Sequence, residues 1–186
     1  MKHLIVGSLI LAIMLSVGLA RAFDGPEGFK GVRFGDSEQM VRSWLNPFRA
    51  TDVLCGGHDH ARVFGDRVCS GRSTIGDIPV GVNYVFRADK LVQIHFSFSA
   101  EAFPELKAAF VTRFGALSDS KESIVKTGGI EGLNEMLFWQ GTTVQISLFK
   151  YAGVTESTGS YHLLTDVAAI AALLRQQGSK AAESLK

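Results

Sequence analysis

Alternating apolar and polar residues predict a β-hairpin between residues 80 and 98. Every second residue is apolar on either side of a short polar turn, "RADK" at 87–90. Gln93, His95 and Ser97 occupy the opposite face of the second strand, because successive side chains of a strand point to alternate faces. Such alternation is typical of a sheet with one face in the core and the other in water. We therefore expect His95 to face solvent.

The remaining apolar positions predict a short strand-like segment at 29–34, three further strands and three helices. The strands are "NEMLFWQ" (134–140), "TTVQISLFKY" (142–151) and "SYHLLT" (160–165). Apolar residues spaced three and four apart predict a helix that begins at Asp36 or Ser37 and ends before Pro47, and two more at 103–114 and 166–177. The apolar face of the first helix carries Met40, Val41, Trp44, Leu45 and Phe48. Residues between Gly115 and about Gly132 are expected to form a loop.

The order of these elements predicts an α+β fold, an antiparallel sheet with helices packed on one face in two layers. A single domain is expected over 23–178, with a disordered tail at 179–186. Two segments at an offset of 52 residues resemble each other, "YVFRADKLVQIHFSF" (84–98) and "MLFWQGTTVQISLFK" (136–150). The domain is therefore either undivided or built from two similar halves, 23–100 and 101–178.

The N-terminal 22 residues have the pattern of a secretory signal peptide. Lys2 and His3 precede an apolar run to Leu19, and "ARA" at 20–22 provides a small-x-small cleavage site after Ala22. The apolar run is shorter than the roughly 20 residues that span a bilayer, so no stable membrane insertion is expected after cleavage. We expect a periplasmic or secreted protein.

Charge excludes some classes of partner. Loss of Lys2 and Arg21 with the signal peptide leaves 17 basic and 18 acidic side chains, a formal charge of −1. Nucleic acids and anionic membranes would require a clustered basic excess, which is not present. Neither class is therefore expected as the main partner.

The two cysteines enclose the segment "CGGHDHARVFGDRVC" at 55–69. An exported chain meets an oxidising compartment, so we expect a Cys55–Cys69 disulfide. His58 and His60 lie between the cysteines, and thiolates with imidazoles could alternatively bind zinc. With the disulfide formed, we predict no metal site and no cofactor, and both histidines lie on a tethered loop.

The segment "FGDS" at 34–37 resembles the first block of the SGNH (GDSL) hydrolases, which implies Ser37 as a nucleophile. A serine nucleophile needs a base and an acid that orients it, and that family takes both from a late Asp-x-x-His. Here the residues three positions before the mature histidines are Cys55, Gly57, Val92 and Gly159. The motif is missing, and Ser37 or Asp36 is better explained as a helix N-cap. We predict no catalytic residue.

The same stretch, "GVRFGDSEQMVRSWL" (31–45), resembles the opening of the BamE (SmpA/OmlA-like) envelope modules. The matching positions are Gly31, Val32, Phe34, Gly35, Ser37, Val41 and Leu45, and "LKAAFVTRFGAL" (106–117) resembles a later helix-to-Gly passage. The resemblance implies a small two-layer domain that binds other proteins. In tandem, this helix-plus-sheet unit is the architecture of the β-lactamase inhibitory protein. No lipobox Cys is present, which separates the chain from anchored members.

We therefore predict a non-enzymatic exported protein that binds a protein partner of the cell envelope, as an assembly accessory or an inhibitor of a secreted enzyme. The alternatives are an esterase using Ser37 and a protein that binds a small apolar ligand in a Phe-lined cleft. The predicted partner-binding residues are His58, His60, Gln93, His95, Ser97, Gln145 and Ser147.

Overall fold

An eight-stranded antiparallel sheet forms most of the structure, a computed structural model that describes residues 25–45, 54–56, 66–127, 130–151, 155–165 and 175. The strand order is β3-β4-β5-β6-β10-β9-β8-β7, and β1 and β2 form a separate small hairpin. The elements are β1 (Gly28–Phe29), β2 (Val32–Arg33), α1 (Glu38–Leu45), β3 (Leu54–Gly56), β4 (Arg67–Ile75), β5 (Ile78–Arg87), β6 (Lys90–Ser99), a 3₁₀ turn (Ala100–Ala102), α2 (Phe103–Phe114), β7 (Asp119–Thr127), β8 (Ile130–Gln140), β9 (Val144–Lys150) and β10 (Glu156–Leu163). The fold is therefore α+β with a predominant antiparallel sheet, as the sequence predicted.

The predicted hairpin is β5–β6, and its turn lies where the "RADK" segment placed it. Ala88 and Asp89 both have positive φ, 48° and 58°. Two such residues are characteristic of the tight turn that matches the twist of a hairpin. The Ala88 N–H donates a 2.7 Å hydrogen bond to Asp66 Oδ2. Asp66 directly precedes β4, so this bond attaches the turn to the start of β4.

Two long strands fall where loops were expected. β4 begins inside the predicted disulfide loop, and β7 replaces the predicted loop after α2. Both segments are rich in polar residues, and residues 119–124 of β7 are exposed, so neither has the apolar alternation of a half-buried strand. Their backbone groups are instead paired with β5 and β8, which is a tertiary interaction that overrides weak local preference.

The strand order is symmetric about the junction between β6 and β10, with four strands on each side. Each of the helices α1 and α2 is followed by four strands, and the two sets meet as neighbours at this junction. The similar sequence segments correspond to β5–β6 and β8–β9, which do not occupy equivalent places in the two sets. Alternation alone would produce part of that similarity, and a tandem duplication stays a prediction.

One sheet face, which we call the core face, carries the large apolar side chains. Phe96, Trp139 and Tyr161 lie on it, and the ring of Phe110 from α2 lies 5.9, 5.6 and 6.2 Å from their ring centroids. The Trp139 Nε1–H donates a 3.0 Å hydrogen bond to the Gly115 carbonyl. This bond connects the end of α2 to β8. The helix ends at Phe114 with Gly115 as its C-cap, so the predicted helix stop at Gly115 is confirmed.

Gly159 is required by the same packing. A Cβ on Gly159 would lie 2.3 Å from two atoms of the Phe96 ring and 3.1 Å from Leu148 Cδ1. Phe96 is itself buried and in contact with other rings, so it has little room to move. A glycine in β10 therefore allows the Phe96 ring to lie across the neighbouring strand.

The apolar face predicted for α1 is only partly buried. Val41 is fully buried, but Met40 and Trp44 are each 50% exposed. The helix is described as far as Leu45, and the predicted stop at Pro47 lies outside the described residues. None of the helices in the described ranges is both long and apolar enough to cross a membrane.

Several predictions concern residues outside the described ranges. They are the signal peptide at 1–22, the loop histidines His58 and His60, the third helix at 166–177 and the tail at 179–186.

Candidate functional site

The sheet face opposite the core face, which we call the polar face, brings most of the predicted binding residues together. Strand register places Ser160 directly opposite both His95 and Ser147. His162 lies in the same way between Gln93 and Gln145. Because directly opposed residues of antiparallel strands point to one face, these side chains form two neighbouring rows across β6, β10 and β9.

The rows border a cleft of about 310 Å³. Its polar lining includes three of the predicted residues, His95, Gln145 and Ser147, together with Ser160 and His162. Ser97 is half-buried in the next row, opposite Thr158, and is not among the lining residues. Aromatic side chains form the other wall: Phe138, Phe149 and Tyr151.

The expectation that this face is open to solvent is wrong at its centre. Gln93 is fully buried, and its Oε1 lies 2.8 Å from His95 Nε2, which makes the imidazole N–H the donor of that hydrogen bond. Ser147 and Ser160 are also buried, with their hydroxyl oxygens 2.6 Å apart. The reason is the strand order: β10 lies against β6, so residues on both strands shield each other.

The two histidines of the cleft are neighbours and are neutral at pH 7. The ring of His162 meets that of His95 edge to face, with centroids 4.9 Å apart. Burial lowers the pKa of His95. Burial, and secondarily the positive charge that His95 would carry, lower the pKa of His162 to about 4. Two adjacent neutral imidazoles can therefore donate and accept hydrogen bonds without carrying charge.

Lowering the pH from 7 to 5 is expected to destabilise the protein by about 2 kcal/mol through His162. The His162 pKa is about 4 in the folded protein against 6.5 for an ordinary histidine, so the unfolded chain binds the proton more readily. The contribution of neutral His162 to the free energy of unfolding is complete above about pH 6.5 and is lost as the pH falls towards 4. Urea unfolding of wild type and His162→Gln at both pH values measures it. The variant should lose about 2 kcal/mol less than wild type, and an equal loss in both would contradict the prediction.

The chemistry available in the cleft is hydrogen bonding. The described lining residues include two serines and two histidines but no carboxylate that could orient a histidine base. The Ser147 and Ser160 hydroxyls also bond to each other. This arrangement suits the recognition of polar groups, with the aromatic wall as an apolar contact surface.

Ser37, the alternative nucleophile, caps α1. Its Oγ accepts a 3.3 Å hydrogen bond from the Met40 N–H, which is the bond of an N-cap to the third residue of a helix. Asp36 has a different role, because its Oδ2 accepts from the Arg33 N–H at 2.8 Å. The Glu38 N–H donates to Asp89 Oδ1 at 3.2 Å and so attaches the helix start to the β5–β6 turn.

Replacing Ser37 by alanine is expected to lower the free energy of unfolding by about 1 kcal/mol, because the Met40 N–H loses its acceptor. Urea unfolding measures this loss. Ser43→Ala is the matched control, since Ser43 lies within the same helix and alanine favours a helix interior. A general ester assay should find no turnover by either wild type or Ser37→Ala. Turnover that depends on Ser37 would contradict the capping role as its main function.

The predicted disulfide is present between Cys55 and Cys69, which face each other on β3 and β4. Glu38 has a carboxylate oxygen within 4.8 Å of both sulfur atoms, and these three side chains are the one group in the described ranges with metal-ligand spacing. The sulfur atoms are bonded to each other, and Glu38 forms ion pairs with Arg42 and Arg67. The Arg67 guanidinium hydrogen bond is the main cause of the lowered pKa of Glu38.

Comparison with known proteins identifies no relative: no protein-family model, curated protein or solved structure matches this chain.

Proposed function

We propose that this is an exported, non-enzymatic protein of the cell envelope that binds a protein partner through the polar face. The observation that carries the proposal is the cleft in which the neutral His95–His162 pair and the Ser147–Ser160 pair lie beside an aromatic wall. Neutral hydrogen-bonding groups next to aromatic rings are typical of interface centres, where charged residues are depleted.

The outer part of the aromatic wall supports a protein partner. Phe149 and Tyr151 are stacked with ring centroids 6.2 Å apart, and Tyr151 is 42% exposed. An exposed tyrosine that is held by a neighbouring ring offers a large contact area at little cost in conformational entropy. The cleft of about 310 Å³ has room for one anchoring side chain of a partner loop.

The arrangement of the helices also supports this surface. We propose that the helices lie on the core face as a second layer, which leaves the polar face for binding. The contacts of Phe110 with Phe96 and Tyr161 support this placement for α2. Two helix-plus-four-strand sets agree with the tandem arrangement that the BamE-like resemblance implies. The disulfide supports an oxidising compartment, and export would use the signal peptide at 1–22.

Capture experiments with two aromatic variants test the proposal. Tyr151→Glu places a charge on the proposed surface, and Trp44→Glu is the matched control, an exposed aromatic residue on α1. The tagged protein is incubated with envelope extract of the producing organism, and retained proteins are quantified by mass spectrometry. We expect one partner that wild type and Trp44→Glu retain equally and that Tyr151→Glu retains about thirtyfold less, as for an interface hot spot.

Other outcomes would overturn the proposal. They are retention of the partner by Tyr151→Glu, equal loss with both variants, and retention of no protein by wild type.

A further inference from the structure

A second cavity, of about 320 Å³, lies on the other side of the sheet, between the β1–β2 hairpin, α2 and β10. Four aromatic rings border it, from Phe29, Phe110, Phe114 and Tyr161. Phe110 and Phe114 meet edge to face at 5.3 Å, and Tyr161 lies 6.3 Å from both Phe29 and Phe114. Rings from three separate elements therefore form an open apolar cavity with room for a small molecule.

One hydroxyl without a hydrogen-bond partner belongs to a residue that lines this cavity. Tyr161 is only 5% exposed, and its hydroxyl has no hydrogen-bond partner among the residues that the structure describes. Ser157 Oγ is the one buried side-chain oxygen or nitrogen without a partner in the described ranges, so the Tyr161 hydroxyl is accessible from the cavity and free to donate to a ligand there. Burial raises the pKa of Tyr161, so the hydroxyl keeps its proton and remains a hydrogen-bond donor.

Two cationic side chains also line the cavity. Arg113 comes from the last turn of α2, and Lys30 from the turn between β1 and β2, where it has a positive φ of 52°. Neither forms an ion pair within the described ranges, and no acidic residue is among the described lining residues. The open apolar cavity thus has a hydroxyl donor and two exposed cationic side chains, and none of its described lining residues is acidic.

We propose that this cavity binds a small amphipathic carboxylate, with its apolar body against the Phe110 and Phe114 rings and its carboxylate bound by Tyr161 and Arg113. Lys30 adds a second positive charge. A carboxylate can accept from a hydroxyl and a guanidinium together, and both bonds are strengthened by its charge. The apolar walls favour a hydrocarbon or aryl body over a fully polar anion such as inorganic phosphate. This site is separate from the polar face and does not depend on the proposed partner.

Calorimetric titration with 3-phenylpropionate tests the charge requirement, with 3-phenylpropionamide as the neutral analogue of the same shape. We expect saturable binding of the acid and at least tenfold weaker binding of the amide. Arg113→Gln should weaken binding of the acid about tenfold, whereas Arg72→Gln, an exposed arginine on β4, should have no effect. Equal binding of acid and amide, or no saturable binding of the acid by the wild type, would overturn the proposal.

Two further pairs of variants test the location. Tyr161→Phe keeps the ring and removes the hydroxyl, and should weaken binding about tenfold, while the same change at Tyr84, the other buried tyrosine on the sheet, should not. Ala109→Phe should fill the cavity and abolish binding, because Ala109 lines it. Ala108→Phe, one residue earlier on the exposed side of α2, should leave binding unchanged. Circular dichroism shows that each variant is folded, and unchanged binding by folded Ala109→Phe would place the ligand elsewhere and overturn the assignment.

Discussion

Replacement of Phe110 by alanine is expected to lower the free energy of unfolding by about 4 kcal/mol. Phe110 is 3% exposed and contacts the rings of Phe96, Trp139 and Tyr161, which come from three different strands. The truncation therefore removes the apolar contact between α2 and the centre of the sheet and leaves a cavity, and both effects are destabilising.

Chemical denaturation of wild type and Phe110→Ala measures this change. Val111→Ala is the control, because Val111 is the next residue of α2 and is 40% exposed. Its replacement should change stability by less than about 0.5 kcal/mol. A similar, small effect at both positions would contradict the packing of α2 on the core face.

Reduction of the Cys55–Cys69 disulfide is expected to lower the free energy of unfolding by about 3 kcal/mol. The two cysteines are 14 positions apart, and opening a loop of this length increases the conformational entropy of the unfolded chain. The effect on the folded protein should be local, because β3 has three residues and lies at one edge of the sheet.

Urea unfolding with and without a phosphine reductant measures the contribution of the disulfide. The Cys55→Ala/Cys69→Ala double variant is the control, and its midpoint should not respond to the reductant. Free thiol titration of the untreated protein should find no reactive cysteine. Identical midpoints for oxidised and reduced wild type would contradict the prediction.

Strong local patterns predicted the elements that they specify. The alternation at 80–98 predicted β5–β6, and the four-residue spacing of apolar residues with Gly115 after them predicted α2. β4 and β7 were missed because their sequences are polar, and their strands are stabilised by backbone pairing with a neighbour. A local pattern does not reveal a strand whose partner supplies most of the stabilisation.

The candidate site was predicted only in part, because a local pattern does not reveal which strands are neighbours. Alternation correctly placed Gln93 and His95 on one face of β6, and Gln145 and Ser147 on one face of β9. His162 and Ser160 were not predicted as site residues, although "SYHLLT" was predicted as a strand. The available signal was that both are polar residues on the face opposite Tyr161.

The sequence by itself determined which residues of a strand share a face, because side chains alternate along the backbone irrespective of the strand's partners. It also determined where α1 begins, because Ser37 provides the hydrogen bond that its first turn lacks. Only the tertiary structure decided that β10 lies between β6 and β9, which brings His162 against His95 and buries Gln93. Strand order depends on pairing between segments far apart in the chain, and a two-residue period is the same for every partner that a strand could have.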